Sequence, residues 1–590
     1  MSERIGDMTL TGKTGPSAAG VSNRGILGWF RREPAGVISL IWIVILGILV
    51  VPPIYILLQM SFSEFAMDGS RQGFTLQNFT ALGKAGFFSA LWNSVIFSAL
   101  ATLISLIIGG ILAWLVERTN TPFKGLAYVT AIVSLGTPYV LYVMSWLYLL
   151  GRSGPLNALY RDLTGNTGIL FDVYSLTGMI LIEGFLWSPL VFLLLSATFR
   201  MANAEMEEAA RMNGASVPDT IWHVSLKLAW PAILALGLFV FIRNIESFEV
   251  PALVGIPGDV KVLTTDIYLS VKEFPPQLGH AASFSVVMLV LVAVLIYFYG
   301  RVSRHADRYA SITGKGFRPR PFDLGRGRWI AGAIILFDFI LVLGLPIIAL
   351  FWMALTPFIS PMRLDRIKGF TLENFTNVLT SPSYVELAIN TLIIAALAAT
   401  VAMAITMVSA WLAARRKPFG GIVDQLTTMP LVFPGIVLGV ALLELSLNMP
   451  FPAYGTIWVI AFAYLIRYLP YGMRYSYSGV LQVHRELEEA SGAAGASIFQ
   501  NLRMIVAPLL SPALMAGWLF IFLIASRELS IAVLLAGPRS QVIAVSMLDL
   551  WQNGQPGELS ALGLLWTLLM VIVATIFRLI ERRQSATTYG

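Results

Sequence analysis

The sequence predicts an all-α polytopic membrane protein with about 12 transmembrane helices, arranged as two parallel six-helix repeats. Of the 590 residues, 57% are hydrophobic and 12% are charged, whereas an ordinary soluble domain has about 25% charged residues. Twelve stretches are apolar over about 18 residues or more, which is long enough for a helix to cross a hydrocarbon core of about 30 Å. Long uninterrupted apolar runs exclude the alternating pattern of a membrane β-barrel.

The twelve predicted spans fall into two groups of six, separated by a basic stretch. The stretches centred near 240 and 523 are the least regular, because charged residues interrupt them. The predicted spans are 37–60, 90–116, 126–150, 176–199, 228–255, 281–300, 329–356, 386–413, 424–447, 456–473, 510–536 and 560–580.

An internal duplication relates the two groups. The octapeptide that begins at Gly73 recurs with one substitution at Gly369, and Pro138 recurs as Pro434, both at an offset of 296 residues. Because six is an even number of spans, each half enters and leaves on the same side, so the repeats are parallel. The predicted organisation is a disordered cytoplasmic tail (1–35), a first half (36–300), a basic cytoplasmic linker (301–328) and a second half (329–582).

Charge and composition predict the sidedness of the chain. With the N-terminus inside, about 27 of the 40 Lys and Arg residues fall in inner loops, which predicts that both termini are cytoplasmic. The basic linker is interpreted as an anchor to anionic membrane lipid, and no nucleic-acid partner is expected. The absence of cysteine excludes disulfides and thiol catalysis. The polar tail lacks the apolar core of a signal peptide.

One short motif occurs twice, between the fourth and fifth spans of each half. The copies cover 207–216 and 488–497, and each begins Glu-Glu-Ala and ends Gly-Ala-Ser. In each copy, the acidic start suits a helix N-terminus and the glycine permits the left-handed backbone that ends a helix. Ser216 and Ser497 can cap the next helix. Each copy therefore predicts a helix, a sharp corner and a second helix, offered to two copies of one soluble partner.

The motif resembles the signature of inner-membrane permeases of binding-protein-dependent ABC importers. Glu-Ala-Ala is followed by glycine and then by Pro508 and Pro512 in the second copy, whereas in the first copy Lys227 stands at the equivalent of Pro508. The second copy also has Ser491 in place of the second alanine of the signature. The resemblance implies a type I ABC importer permease fold in a bacterial inner membrane. It implies contact with two ATP-binding subunits through Glu208, Ala209, Gly214, Glu489, Ala490 and Gly495, and solute delivery by a periplasmic binding protein.

Charged residues at membrane depth mark a second candidate site, because such residues usually face a cavity or a partner. Glu246 and Arg527 occupy equivalent positions in the repeat, which predicts an ion pair between them across the seam of the two halves. Satisfaction of local backbone groups and contact with the solute remain alternatives. Glu183, Asp338, Glu444 and Arg467 are isolated in their spans. The pathway candidates are Arg243, Glu246, Glu249, Arg527 and Glu528.

The predicted function is therefore the permease subunit of an ABC importer that catalyses no covalent chemistry itself. No phosphate-binding loop, metal site or cofactor is expected, so a separate polypeptide must hydrolyse ATP. Fused two-half permeases resemble those of the ferric-iron group, so ferric iron is the expected substrate. Thiamine, aminoalkylphosphonate and polyamine importers are alternatives. An ion-driven secondary transporter is the alternative from another class, although it leaves the paired motifs unexplained.

Overall fold

The computed structural model describes residues 34–66, 70–83, 85–201, 205–306, 321–358 and 360–588. Within these ranges nine helices are long and apolar enough to cross a membrane, or eleven when each of two bent helix pairs counts as one span. The remaining predicted span, 456–473, lies in the 26-residue helix Ile457–Gln482, which is less apolar because it carries Arg467, Pro470 and several tyrosines. The predicted all-α polytopic fold is confirmed.

The first half is built almost entirely of helices, with one small sheet. In the described part of this half, strands Ser63–Phe65 and Arg71–Phe74 pair in an antiparallel hairpin, with Ser63 opposite Phe74 and a bulge after Glu64. The helices are Pro34–Ser61, Gln77–Thr80, Ala81–Gly83, Ala85–Arg118, Lys124–Gly136, Tyr139–Leu150, Pro155–Thr164, Leu176–Met201, Glu205–Met212, Val217–Thr220, Ile221–Ser225, Leu226–Ile245, Pro251–Gly255, Leu263–Lys272 and Leu278–Ala306.

The second half has a similar order of helices, but its described part has no counterpart of the hairpin or of helix Pro155–Thr164. Its helices are Gly325–Gly327, Arg328–Asp338, Phe339–Gly344, Leu345–Leu355, Leu364–Gly369, Glu373–Thr380, Pro382–Ala414, Gly420–Thr428, Met429–Val432, Gly435–Leu447, Ile457–Gln482, Arg485–Ala493, Ile498–Asn501, Leu502–Val506, Ala507–Ala525, Ala532–Leu535, Ile543–Gln552 and Pro556–Thr588. Residues 1–33 of the predicted tail and 307–320 of the predicted linker lie outside the described residues. The domain boundaries therefore stay predictions.

The fifth span of each half is shorter than the sequence predicts. The expected stretch 228–255 ends as a helix at Ile245 and resumes as a separate turn, Pro251–Gly255. Likewise, the helix in 510–536 ends at Ala525 before Ala532–Leu535. The prediction of two continuous spans is wrong, because apolar composition does not reveal the effect of the charged residues that follow each helix, or of Pro251 in the first half.

The third span of each half is broken near its middle. Helices Lys124–Gly136 and Tyr139–Thr164 meet at a bend of 111°, and Gly420–Val432 and Gly435–Leu447 meet at 101°. Pro138 and Pro434 stand directly before the second helix of each pair, where proline suits a helix start but prevents continuation of the preceding helix. The breaks leave backbone carbonyls that need donors at membrane depth.

The first span of each half packs against the other half as well as against its own. Helix Pro34–Ser61 packs against both segments of the broken span of the second half, and Leu345–Leu355 packs against Tyr139–Leu150 of the first half. The indole of Trp42 donates a hydrogen bond of 3.2 Å to the carbonyl of Ile405 in the other half. The first spans therefore cover the seam, one from each half, and the two halves share one packed core.

In each half, the segment between the first and second spans also forms hydrogen bonds with the other half. The guanidinium of Arg71, on the hairpin, donates to Glu444 Oε1 at 3.0 and 2.7 Å. In the equivalent segment of the second half, the carbonyl of Ser360 accepts a 2.6 Å hydrogen bond from the Tyr148 hydroxyl. Glu444 and Tyr148 occupy equivalent positions at an offset of 296 residues, so each broken span is hydrogen-bonded to the other half through its second helix.

Small residues let the second and fourth spans of the first half approach closely. A Cβ added at Gly109 would lie 2.7 Å from the backbone nitrogen of Phe192 and 2.8 Å from the carbonyl oxygen of Ser188. Close packing of this kind favours helix association in lipid. Lipid tails are as apolar as the side chains, so the hydrophobic effect does not drive the helices together.

We predict that Gly109→Ala lowers the free energy of unfolding by about 1–3 kcal/mol, because backbone atoms must move to admit the methyl group. Gly110→Ala is the matched control, since its Cβ would meet Leu195 at an ordinary 3.6 Å. The midpoint of thermal unfolding of the purified protein in detergent measures both variants. Equal stability of the two variants would contradict the packing account.

Candidate functional site

The two motif copies fold as the predicted helix, corner and helix. Helices Glu205–Met212 and Arg485–Ala493 are each followed by a glycine with positive φ, +85° at Gly214 and +87° at Gly495. These are left-handed backbone positions that other residues adopt only with strain. Both glycines meet no atom within 4 Å of an added Cβ, so backbone conformation is what requires glycine there.

Serine caps begin the helix after each corner, as the sequence predicts. The Ser216 hydroxyl accepts from the backbone N–H of Asp219, and that of Ser497 accepts from Gln500. The backbone N–H of Ser497 in turn donates to Gln500 Oε1 at 2.8 Å, which completes a capping box. A short π-helical turn follows in both halves, at Ile221–Ser225 and Leu502–Val506. The fifth span then begins without interruption.

A buried ion pair anchors each corner to the end of the second span. Glu207 Oε2 lies 3.6 Å from Arg118 Nε, and both side chains are less than 5% exposed. In the second half Glu488 Oε1 lies 2.6 Å from Arg415. Glu207 also accepts a 2.6 Å hydrogen bond from Ser225. The anchoring carboxylates are therefore the first glutamates of the Glu-Glu-Ala start, which sequence reasoning did not select.

A signal for these anchors exists in the sequence. Arg118 and Arg415 are equivalent in the repeat at an offset of 297 residues, and Glu207 and Glu488 at 281. An arginine and a glutamate that both recur at equivalent positions indicate an ion pair, but only the structure shows which of two adjacent glutamates faces inward.

The residues selected from the sequence lie on the outer face of each motif. Ala209 and Gly214 are exposed and Glu208 is half-buried, whereas Glu489, Ala490 and Gly495 are all exposed. Apolar side chains extend this face at equivalent positions, with Met206 54% exposed in the first copy and Leu487 48% exposed in the second. Exposed apolar groups rimmed by charge are typical of a protein-binding surface.

The first corner has a support that the second corner lacks among the described residues. Within the predicted linker, Phe322 is buried beside the Trp114 ring, with centroids 5.8 Å apart. Its backbone N–H donates to the carbonyl of Arg118 at 2.7 Å, and its own carbonyl accepts from Asn120. The segment that leads into the second half is therefore hydrogen-bonded to Arg118, the residue that anchors the first motif.

At the seam, the predicted ion pair between Glu246 and Arg527 is not formed, so that prediction is wrong. Glu246 Oε2 instead accepts from Arg243 at 2.7 Å and from Arg467 at 3.2 Å. Arg467 belongs to the other half, so a cross-seam pair exists with a different cation. Equivalence in the repeat predicts that two positions lie near the axis, but it does not predict which side chains meet.

The guanidinium of Arg527 binds the broken span of the first half. It donates to the carbonyls of Leu135 at 2.5 Å and Thr137 at 3.4 Å, and to the Tyr139 hydroxyl at 3.2 Å. Arg467 likewise donates to the carbonyl of Phe433, at the equivalent break in the second half. Both arginines thus satisfy carbonyls that the breaks expose, and each adds positive charge at the negative end of a helix.

The remaining carboxylates lie around this pair of arginines. Glu528 accepts from Tyr468 at 2.8 Å and from Ser530 at 2.6 Å. In the first half, Glu183 accepts from Trp187 at 3.0 Å and from Ser247 at 3.1 Å. Glu249, like Glu528, is half-buried. Glu183 and Arg467, which are isolated in the sequence, therefore belong to one polar cluster at the seam, just beyond the ends of both fifth spans. Glu444 instead pairs with Arg71, and Asp338 lies at the end of helix Arg328–Asp338.

Comparison with known families identifies two repeats of one domain. The family model described as "Binding-protein-dependent transport system inner membrane component" matches residues 105–308 and again 405–586. Each match contains one motif and one fifth span, so the duplication read from the sequence coincides with the repeated domain.

Curated relatives include ferric-iron and polyamine permeases. The chain is 25% identical over 505 residues to the ferric transport system permease protein FbpB of Actinobacillus pleuropneumoniae, covering 84% of this chain and 72% of the relative. It is 21% identical to the Fe(3+)-transport system permease protein FbpB 2 of Haemophilus influenzae, over 80% of this chain and 85% of the relative. A Haemophilus influenzae spermidine/putrescine permease, PotB, is 27% identical over 43% of this chain and 88% of the relative.

We predict that Glu207→Gln destabilises the protein by up to about 3 kcal/mol, because it removes a negative charge that faces the buried Arg118 guanidinium. Glu208→Gln is the matched control in the adjacent position and should stay within about 0.5 kcal/mol of the unmodified protein. Thermal unfolding in detergent measures both. An equal loss in the two variants would show that the inward carboxylate has no special anchoring role.

Proposed function

We propose that this chain, which belongs to the family of binding-protein-dependent transport system inner membrane components, imports ferric iron as the permease subunit of an ABC importer. Membership of the family makes the chain a multi-pass inner-membrane permease subunit. The proposed mechanism rests on the two glycine corners, because each is continuous with a fifth span that ends at the polar seam.

Two ATP-binding subunits would dock on the exposed faces of the two motifs. The outer faces at Ala209 and Ala490 are accessible, while the buried ion pairs of Glu207 and Glu488 prevent each motif from pivoting away from the second span. A load applied to a corner is then transmitted into the fifth span. Two sites of the same shape support a stoichiometry of two ATPase subunits for each permease chain.

The proposed orientation places both motifs and both termini in the cytoplasm. The excess of basic residues in the loops on the motif side supports this orientation. A periplasmic binding protein would then deliver solute at the opposite side, near the short helices that follow each fifth span. Hydrolysis of ATP belongs to the docked subunits, and the permease contributes the pathway and the coupling.

Ferric iron is the proposed solute because two ferric permeases each cover at least 80% of this chain. The polyamine relative covers 43% of it. Both solutes are cations, and the seam contains the carboxylates of Glu249 and Glu528 in half-buried positions. A polyamine importer is the second candidate, and the test of function includes it.

The test reconstitutes the permease in liposomes with its ATPase subunit and a binding protein encoded beside it. We expect that the iron-loaded binding protein stimulates ATP hydrolysis and drives iron uptake, whereas spermidine does not. Stimulation by spermidine alone would reassign the substrate. Uptake by the permease alone, driven by an ion gradient, would refute the importer assignment.

We also predict that Gly214→Val and Gly495→Val reduce iron uptake at least about tenfold without preventing membrane insertion. A β-branched residue at positive φ costs roughly 1–2 kcal/mol or more, so the corner changes its angle. Gly492→Val is the matched control, since Gly492 lies in the same motif without positive φ or close neighbours. Uptake and co-purification of the ATPase subunit are the two measurements. Normal uptake in both corner variants would contradict the coupling role.

A further inference from the structure

A cavity of about 750 Å³ opens between the two halves, beside the short helices Leu263–Lys272 and Ile543–Gln552. These helices occupy equivalent positions in the repeat, each between the fifth and sixth spans. In the proposed orientation this is the external mouth of the seam. The volume exceeds that of one water molecule, about 30 Å³, many times over, so it can admit a small hydrated solute.

The cavity is lined by apolar side chains and by a set of polar side chains that forms its polar wall. Leu253 and Val533, one from each half, contribute to the apolar lining and are buried. The polar lining comes from Tyr268 and Lys272 of the first half and from Gln541, Asp549 and Gln552 of the second half. The polar wall can hold a charged solute.

The polar wall is arranged around the Asp549 carboxylate. Gln541 Nε2 donates to Asp549 Oδ2 at 3.1 Å. Burial raises the pKa of Asp549, and the positive charge of Lys272, in the other half, opposes that rise. The pKa of Tyr268 is raised by burial and then by the Asp549 charge. Both groups of the first half therefore lie within electrostatic range of one carboxylate across the seam.

The position of the Lys272 ammonium indicates that the polar wall accommodates a positive charge. Its Nζ lies 6.0 Å from the centroid of the Tyr268 ring, at the limit of a cation–π contact. Lys272 is on a long flexible stem and is exposed, so its head group can leave without disturbing the backbone. The position it leaves faces an aromatic ring and a carboxylate, which together attract a cation and repel an anion.

We propose that this cavity is an entry site for a small cation, and that the Lys272 ammonium occupies the cation's place until solute arrives. The ligand is a metal ion with oxygen ligands or a protonated amine, since a carboxylate, a phenol and amide oxygens suit either. The role as an entry site rests on the proposed import function. The charge preference of the cavity does not, and it can be measured without transport.

The chain contains no cysteine, so a single introduced thiol reports on the cavity without background. Gln552→Cys places that thiol in the exposed part of the lining. Its rates of reaction with a trimethylammonium methanethiosulfonate and a sulfonate methanethiosulfonate are compared in the full-length protein in lipid nanodiscs. Leu163→Cys, 76% exposed and outside the cavity lining, normalises the intrinsic difference between the reagents.

We expect the cationic reagent to be favoured after normalisation, by about tenfold once Lys272→Met leaves the Asp549 charge uncompensated and by less while Lys272 is present. Adding Asp549→Asn should remove the preference, and adding Lys272→Met should increase it. No preference, or a preference that survives Asp549→Asn, would overturn the proposal. This result would leave the import assignment intact, because ATPase stimulation tests that assignment separately.

Protection of the same thiol distinguishes the two kinds of cation. Spermidine is the amine probe, and Ga³⁺ in a weak chelator is the metal probe, because it carries the charge of ferric iron without oxidising thiols. Slower labelling with Ga³⁺ assigns a metal ion, and slower labelling with spermidine assigns an amine. If neither probe slows labelling, the cavity is not a cation entry site.

Discussion

The requirement that every backbone carbonyl at membrane depth has a donor explains the layout of the seam. Each third span is broken, and a break in lipid exposes carbonyls that water cannot reach. Arg527 and Arg467 supply the donors, at the carbonyls of Leu135, Thr137 and Phe433. The guanidinium groups of Arg467, which is buried, and of Arg527, which is half-buried, in turn favour carboxylates nearby, because an unpaired buried charge is far more costly than a paired one. The acidic cluster at the seam follows from the broken spans.

The fifth spans connect the seam to the motifs. Each corner continues through a π-helical turn into a fifth span of about 20 residues, which is about 30 Å of rigid helix. Just beyond its far end, the chain carries Glu246 in one half and Arg527 in the other. A partner that binds a corner more tightly in one position than in another therefore shifts the balance between two arrangements of the seam. Movement of either fifth span pulls on a guanidinium that holds a broken span.

The sequence predicted the elements that depend on local chemistry, and it failed where distant side chains decide. Apolar runs, the duplication and the glycine corners are local signals, and the structure confirms the helices and the positive φ of Gly214 and Gly495. The extra length assigned to the fifth spans arose because an apolar run does not report an interruption by charge. The partner of Glu246 was missed because repeat equivalence indicates proximity to an axis, whereas the choice between Arg467 and Arg527 depends on where the broken spans place their carbonyls.

Duplication did not leave the halves interchangeable. The break in the first half is held by Arg527, which comes from the second half, while the break in the second half is held by its own Arg467. The equivalent of Arg527 in the first half is Glu246, which cannot donate to a carbonyl when ionised. Two copies of the first half would therefore leave carbonyls without donors at both breaks. Joining unlike halves in one chain raises their effective concentration and fixes their ratio, and it also carries Phe322 to the anchor of the first motif.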